Sequence, residues 1–175
     1  MIFTRRCIKG GFLSTNFNAH HSNAEKRKDD WYTPPEIFTA LGTFDLDPCG
    51  LNIWPTAKTI YEYSGLERDW FGRVWMNPPY NEIEQWMQKL SEHGNGIALT
   101  FARVETKWFQ KYVWAKSDAL LFFKKRLTFY HSTFKKAAFN AGAPSVLIAY
   151  GSDNVTALYQ SKLSGTFVCG YLDLK

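Results

Sequence analysis

Three nearly continuous apolar runs constrain this chain more than any other feature. Residues 97–102, 119–123 and 145–150 are apolar at consecutive positions rather than at every second one. A strand with one wet face alternates apolar and polar side chains, so a continuous run marks a strand covered on both sides. Between these runs the period changes. Ile83, Trp86, Met87 and Leu90 recur at i, i+3, i+4 and i+7, which predicts a helix over residues 81–91. Residues 106–115 and 154–163 also read as helices. Pro34 or Pro35 opens a short one, lined by Ile37, Phe38 and Leu41 and stopped by Gly42. Residues 44–46 and 74–76 read as short strands, 127–130 as a strand past a basic turn, 166–172 as extended chain, and 50–73 as irregular. Strands alternating with helices predict an α/β domain with a mostly parallel sheet and helices on both faces. A chain of 175 residues suits one such domain. Residues 1–30 hold no sustained period and end in a charge run, so they read as a flexible arm ahead of a domain over 31–175.

Charge is unevenly spread. Residues 31–102 carry four basic and nine acidic side chains, whereas residues 103–136 carry nine basic and two acidic ones. A confined positive field suits a polyanionic partner and makes its binding salt-dependent. A plain solvated basic face fits the same numbers. Cys7, Cys49 and Cys169 are unevenly spaced with no CxxC, and His20, His21, His93 and His131 lack metal-ligand spacing. The expectation is therefore no disulfide framework, no metal site and a reducing cytoplasm. Thr4-Arg5-Arg6 has the look of a twin-arginine export signal, but polar residues and glycines break up the apolar stretch of roughly 7–15 residues that must follow. No run is long enough to cross a membrane, so neither export nor a membrane span is expected.

In open α/β sheets ligands bind beyond the carboxyl ends of the strands. Two segments follow predicted strands directly, Asp47-Pro48 and Asn77-Pro78-Pro79-Tyr80. The second carries specific chemistry. Its prolines fix their own φ angles and restrict the residue before each, giving a stiff loop with outward carbonyls. An aromatic amine is a poor nucleophile because its lone pair is delocalised into the ring. Accepting its two N–H protons concentrates electron density on nitrogen as it attacks. The Asn77 side-chain oxygen can accept one and the Pro78 carbonyl the other, with Tyr80 as a stacking face. A base inside a duplex cannot reach such a loop, so it must be flipped out. The bland reading is a proline-rich turn with Tyr80 in the core, although chance produces this string in a chain this long on the order of once in a thousand.

The chain resembles the phage and prophage DNA adenine methyltransferases of the Dam-like type. The matching stretches are Trp31-Tyr-Thr-Pro-Pro-Glu-Ile-Phe38, Phe44-Asp-Leu-Asp-Pro-Cys49, Gly72-Arg-Val-Trp-Met-Asn-Pro-Pro-Tyr80, Arg103-Val-Glu-Thr-Lys-Trp-Phe109, Leu121-Phe-Phe-Lys-Lys-Arg126 and Ala143-Pro-Ser-Val-Leu-Ile-Ala-Tyr-Gly151. They follow the family's order over roughly residues 30–172. The resemblance implies a Rossmann-like class I methyltransferase fold, S-adenosylmethionine as methyl donor and double-stranded DNA as substrate. It implies that Asn77, Pro78 and Tyr80 form the adenine-amine site, and that Thr33-Pro34 and Asp47-Pro48 belong to the cofactor pocket. Transfer would be direct, without metal or covalent enzyme intermediate. It also implies a role in protecting phage or prophage DNA.

The chain departs from that pattern at one point, since no GxG turn follows its first predicted strand. The nearest candidate is Asp47-Pro-Cys-Gly50. Asp47 either ends the first strand in a degenerate cofactor loop or lies on a later strand that holds the ribose hydroxyls. The gap of about thirty residues to Asn77 favours the later strand, or a compact version of the fold. Asp69 is a further candidate, for the cofactor's adenine. Arg103, Thr106 and Lys107 follow a predicted strand and are candidates for DNA phosphates or for orienting the base, with capping and surface charge as the alternative. Lys124, Lys125 and Arg126, with Lys135 and Lys136, flank Thr128-Phe-Tyr-His131, a mix of cations and aromatics that suits backbone contact and stacking. The alternative there is an exposed basic hairpin. Trp86, Met87 and Phe101 are assigned to the core. Two other functions stay open: the same chemistry on RNA adenine, DNA cytosine or a protein glutamine, and a DNA-binding module without catalysis. A monomer is assumed.

Overall fold

The computed structural model describes residues 31–131, 135–138 and 140–170, and the arm expected over 1–30 lies outside them. In chain order the elements are β1 (Trp31–Tyr32), α1 (Pro35–Leu41), β2 (Leu46–Asp47), β3 (Thr59–Ile60), β4 (Val74–Met76), α2 (Ile83–His93), β5 (Gly96–Phe101), a π-helical segment (Phe109–Trp114), β6 (Ala119–Phe123), β7 (Tyr130–His131), β8 (Ser145–Tyr150), α3 (Ser152–Gln160) and β9 (Gly165–Cys169). Proline opens α1, and Gly42 ends it in a left-handed conformation (φ 82°) with its N–H on the Phe38 carbonyl. Gly94 ends α2 in the same region of φ, its N–H on the Leu90 carbonyl. The helix expected over 106–115 is present but wound wider. Ala115 N–H reaches the Gln110 carbonyl at 3.3 Å, a five-residue step.

Seven strands form one sheet in the order β3-β2-β4-β5-β8-β6-β9. The pairs β2–β3, β2–β4 and β4–β5 are parallel, while β5–β8, β6–β8 and β6–β9 are antiparallel. The α/β class stands, but the mostly parallel sheet does not: the sheet is mixed, parallel at one end and antiparallel at the other. The reason is physical. A continuous apolar run reports cover on both faces, and β8 is buried at every position although its neighbours run against it. Direction is set by connections, which composition does not reveal. The segment expected to be irregular contains β3, at an edge of the sheet. The strand expected over 127–130 is only Tyr130–His131, which pairs with β1 as a separate antiparallel ribbon.

Alternate strand residues divide the interior into two cores. Leu46, Val74, Met76, Ala98, Leu120, Val146 and Ile148 pack with Trp86, Met87 and Leu90 of α2 and with Phe109, Tyr112 and Val113. On the opposite face Trp75, Ile97, Leu99, Ala119, Leu121, Leu147 and Ala149 pack with Ile37 and Leu41 of α1 and with Leu158 of α3. Helices therefore cover both faces. Because β6 runs antiparallel to β8 and β8 antiparallel to β5, β6 points the same way as β2, β4 and β5. The carboxyl ends of these four strands share one rim. Among the described residues no helix is long and apolar enough to cross a membrane.

Candidate active site

The loop Asn77–Tyr80 leaves β4 at the point where its ladder to β5 ends, Met76 opposite Ala98. Pro78 and Pro79 have no N–H with which to continue a ladder, so the chain turns out of the sheet there. Pro79 is extended (φ −65°, ψ 140°), and a 3-10 turn, Tyr80–Glu82, carries the chain into α2. Asn77 is 5% exposed. Its amide nitrogen donates to Thr33 Oγ1 at 3.4 Å. With the nitrogen on Thr33, the acceptor Oδ1 is directed away from Thr33. Tyr80 is half-buried at the rim. Its ring stacks on Phe101, centroids 4.9 Å apart and planes at 16°, and its hydroxyl accepts the Phe101 backbone N–H. Burial holds the Tyr80 phenol well above its usual pKa. Phe101, assigned to the core on sequence, is only partly buried and backs the tyrosine. Its place at the end of an apolar strand hid that role. Trp86 and Met87 are buried, as expected.

Beside Asn77 lies a cleft of ≈ 270 Å³, lined by Thr33, Asp47, Gly50, Trp54, Trp75 and Asn77 among others. Only ≈ 20 Å³ of that space can take the centre of a water molecule, so the cleft is tight. Asp47 is 3% exposed at the end of β2. Its Oδ1 accepts the Cys49 N–H at 3.0 Å, and its Oδ2 accepts the Thr56 hydroxyl. Burial raises the carboxyl to about 6, against the lowering effect of those bonds. The Cys49 thiol is pushed up by burial and by the neighbouring Asp47 carboxylate. Gly50 is required here, since a Cβ would stand 2.5 Å from Asp47 Oδ2. Tyr32 and Trp54 stack at 5.1 Å, and Trp54 Nε1 donates to the Thr33 carbonyl at 3.0 Å. The aromatic walls were not singled out on sequence. Trp54 lies in the stretch read as irregular, where no period marks it.

Among the described residues β2 is the first strand of the large sheet in chain order, directly beside β4. Asp47 therefore closes a first strand, not the later one that spacing favoured. The short gap to Asn77 is met by compactness: β3 has two residues, and no helix separates it from β4. Thr33, Asp47 and Asn77 are brought together. Pro48 is buried but off the cleft, packed so closely to Gly65 that a Cβ there would lie 1.8 Å from the Pro48 carbonyl oxygen. Asp69 is exposed and also off the cleft, its carbonyl accepting from the Tyr61 hydroxyl at 3.1 Å.

Arg103 and Lys107 are exposed just past β5. The turn holding them is tied by Arg103 N–H to the Phe101 carbonyl at 2.8 Å and by the Thr106 hydroxyl to the Arg103 carbonyl at 2.7 Å. Lys124, Lys125 and Arg126 are exposed just past β6, on the same rim, and Lys135 and Lys136 are exposed near β7. Among the described residues none of these cations forms an ion pair; Lys58 with Asp45, at 2.8 Å, does. Lys125, Arg126 and Lys136 line a groove of ≈ 670 Å³ that also touches Pro34, which places Pro34 there rather than on the cleft. Among the described residues no group of three or more His, Cys, Asp or Glu side chains is arranged to hold a metal ion.

A family model described as DNA N-6-adenine-methyltransferase (Dam) matches residues 20–160. No curated protein and no solved structure matches the chain.

Proposed function

Because the chain belongs to the DNA N-6-adenine-methyltransferase (Dam) family, we propose that it transfers a methyl group from S-adenosylmethionine to the exocyclic amine of an adenine flipped out of double-stranded DNA. The observation that carries this reading is the anchored Asn77 amide, its nitrogen on Thr33 and its oxygen left as acceptor, at the mouth of a cleft that ends on Asp47.

The chemistry of the cleft's residues suits the proposed donor, and seating it requires the tight walls to part. Asp47 accepts from the Cys49 N–H, the Thr56 hydroxyl and the Cys49 thiol, and of about four acceptor positions its carboxylate keeps one for a ribose hydroxyl. Trp54, Tyr32 and Trp75 give the cleft aromatic walls, which suit a purine or a sulfonium cation. When bound, the donor supplies an electrophilic methyl group. The chain's own part is to hold and activate the amine. Asn77 Oδ1 and the Pro78 carbonyl accept its two protons, and the Tyr80 ring face turned away from Phe101 receives the base. Catalysis then comes from positioning and from groups aimed at the charge that develops on nitrogen. The exposed cations Arg103, Lys107, Lys124, Lys125, Arg126, Lys135 and Lys136 together supply the positive field that draws in DNA in this proposal. A cytoplasmic setting rests on the cysteine usage, and a phage or prophage role on the resemblance alone.

The test is to incubate the protein with unmodified DNA and S-adenosylmethionine and to map the methylated bases by sequencing. N6-methyladenine is expected. No modified base sinks the proposal, and modified cytosine moves the same chemistry to another amine. Asn77→Ala should lower transfer by at least about 10²–10³-fold, the effect of removing one group aimed at developing charge, while donor binding stays near normal. If transfer survives, the loop is wrongly assigned.

A further inference from the structure

The ≈ 670 Å³ groove is separate from the ≈ 270 Å³ cleft. Yet the two are neighbours. Thr33 lines the cleft and touches Asn77, while the next residue, Pro34, lines the groove. Consecutive Cα atoms lie about 3.8 Å apart, so one short stretch of backbone is the wall between them.

The groove is built from unlike parts. Lys125, Arg126 and Lys136 supply three positive charges, and Glu36 is the one carboxylate on its lining. Phe123, Leu127 and Pro34 supply apolar surface between them. Cations that hold off acidic partners, set against apolar walls, suit a chain of alternating phosphate and sugar. Lys124 and Lys135 are the immediate sequence neighbours of lining residues, equally exposed, and do not line the groove.

Building on the methyltransferase reading above, we propose that this groove seats the phosphodiester backbone of the target strand where it leaves the flipped nucleotide. The amine at Asn77 and the backbone beyond Pro34 are then held on the two sides of the Thr33–Pro34 wall. The basic segment is thereby divided into a built site, Lys125, Arg126 and Lys136, and outer charges that act only through the general field.

Two variants with equal loss of charge separate a built site from a basic patch. One is Arg126→Gln with Lys136→Gln, inside the groove. The other is Lys124→Gln with Lys135→Gln, outside it. All four side chains are exposed, so folding is checked simply by circular dichroism. Binding to a short duplex is measured by fluorescence anisotropy over a series of salt concentrations, with methylation of the same duplex by the wild type as a separate readout. A cation on a phosphate contributes about one unit to the slope of log affinity against log salt. The groove pair should lower the slope by about two units and weaken binding tenfold or more at fixed salt, whereas the outer pair should change the slope by less than one. Equal effects of the two pairs, or no effect of the groove pair, overturn the groove even if the wild type methylates. A wild type that binds the duplex but does not methylate it overturns the enzyme reading and leaves the groove standing.

Discussion

At Asp47 a buried carboxyl is surrounded by donors that only partly replace lost water. Its pKa is raised to about 6 from the ordinary 3.8. A raised carboxyl means that the fold prefers the neutral form. The stabilising preference is complete below pH 4 and is lost as pH rises through 6. The span corresponds to about 3 kcal/mol. Asp47→Asn keeps the shape without the charge. Between pH 4 and pH 7 the wild type should therefore lose stability relative to the variant, read as diverging melting temperatures. Parallel curves would mean that the carboxyl is solvated. At Phe101 the expectation concerns activity. A stacked aromatic pair is worth about 0.5–1.5 kcal/mol beyond its buried area. Phe101→Leu keeps an apolar side chain and removes the stack, so kcat/KM for DNA should fall about two- to tenfold while donor binding is unchanged. Phe101→Tyr should restore the rate. If leucine is as good, Tyr80 needs no backing.

Between elements, Arg73 does what no single helix or strand can. It immediately precedes β4. Its Nη1 donates to the carbonyls of Leu41 and Thr43, both at 2.9 Å, and its Nε to Asn154 Oδ1 at 2.6 Å. The guanidinium also lies 4.3 Å from the centre of the Phe44 ring. Asn154 in turn donates to Asn95 Oδ1 at 2.8 Å and to the Tyr150 carbonyl at 2.7 Å. The end of α1, the start of α3 and the turn before β5 are thus tied through one side chain. Arg73→Met should cost about 2 kcal/mol in urea unfolding, with an unchanged m-value, because carbonyls lose donors without a new cavity. A loss under 0.5 kcal/mol, the size of an ordinary surface substitution, would mean that water replaces them. This tie was invisible in the sequence, since its partners stand 30 to 81 residues away. By contrast α2 was legible, because Trp86, Met87 and Leu90 repeat over whole turns. β3 was not, because two residues carry no period.

At the level of the whole molecule, the sequence revealed which strands are covered and not which way they run. Cover is a property of each residue, whereas direction belongs to the connections. The same division holds at the site. Asn77–Tyr80 stood out as a candidate because its pattern is local, and Asp47 because it ends a strand. The aromatic wall was hidden, since Tyr32 and Trp54 meet only after folding. So was the groove, which joins Pro34 to residues 125–136.

The ribbon of β1 with β7 sets when that wall can exist. Trp31 stands opposite His131, and Tyr32 opposite Tyr130. Closing a loop of roughly a hundred residues carries an entropic cost that only later contacts offset. During synthesis β2, β4 and β5 have all emerged before β7 does, so β1 waits for its pairing partner. The cleft's Tyr32 wall is therefore fastened only when the chain's early residues meet a segment made long afterwards.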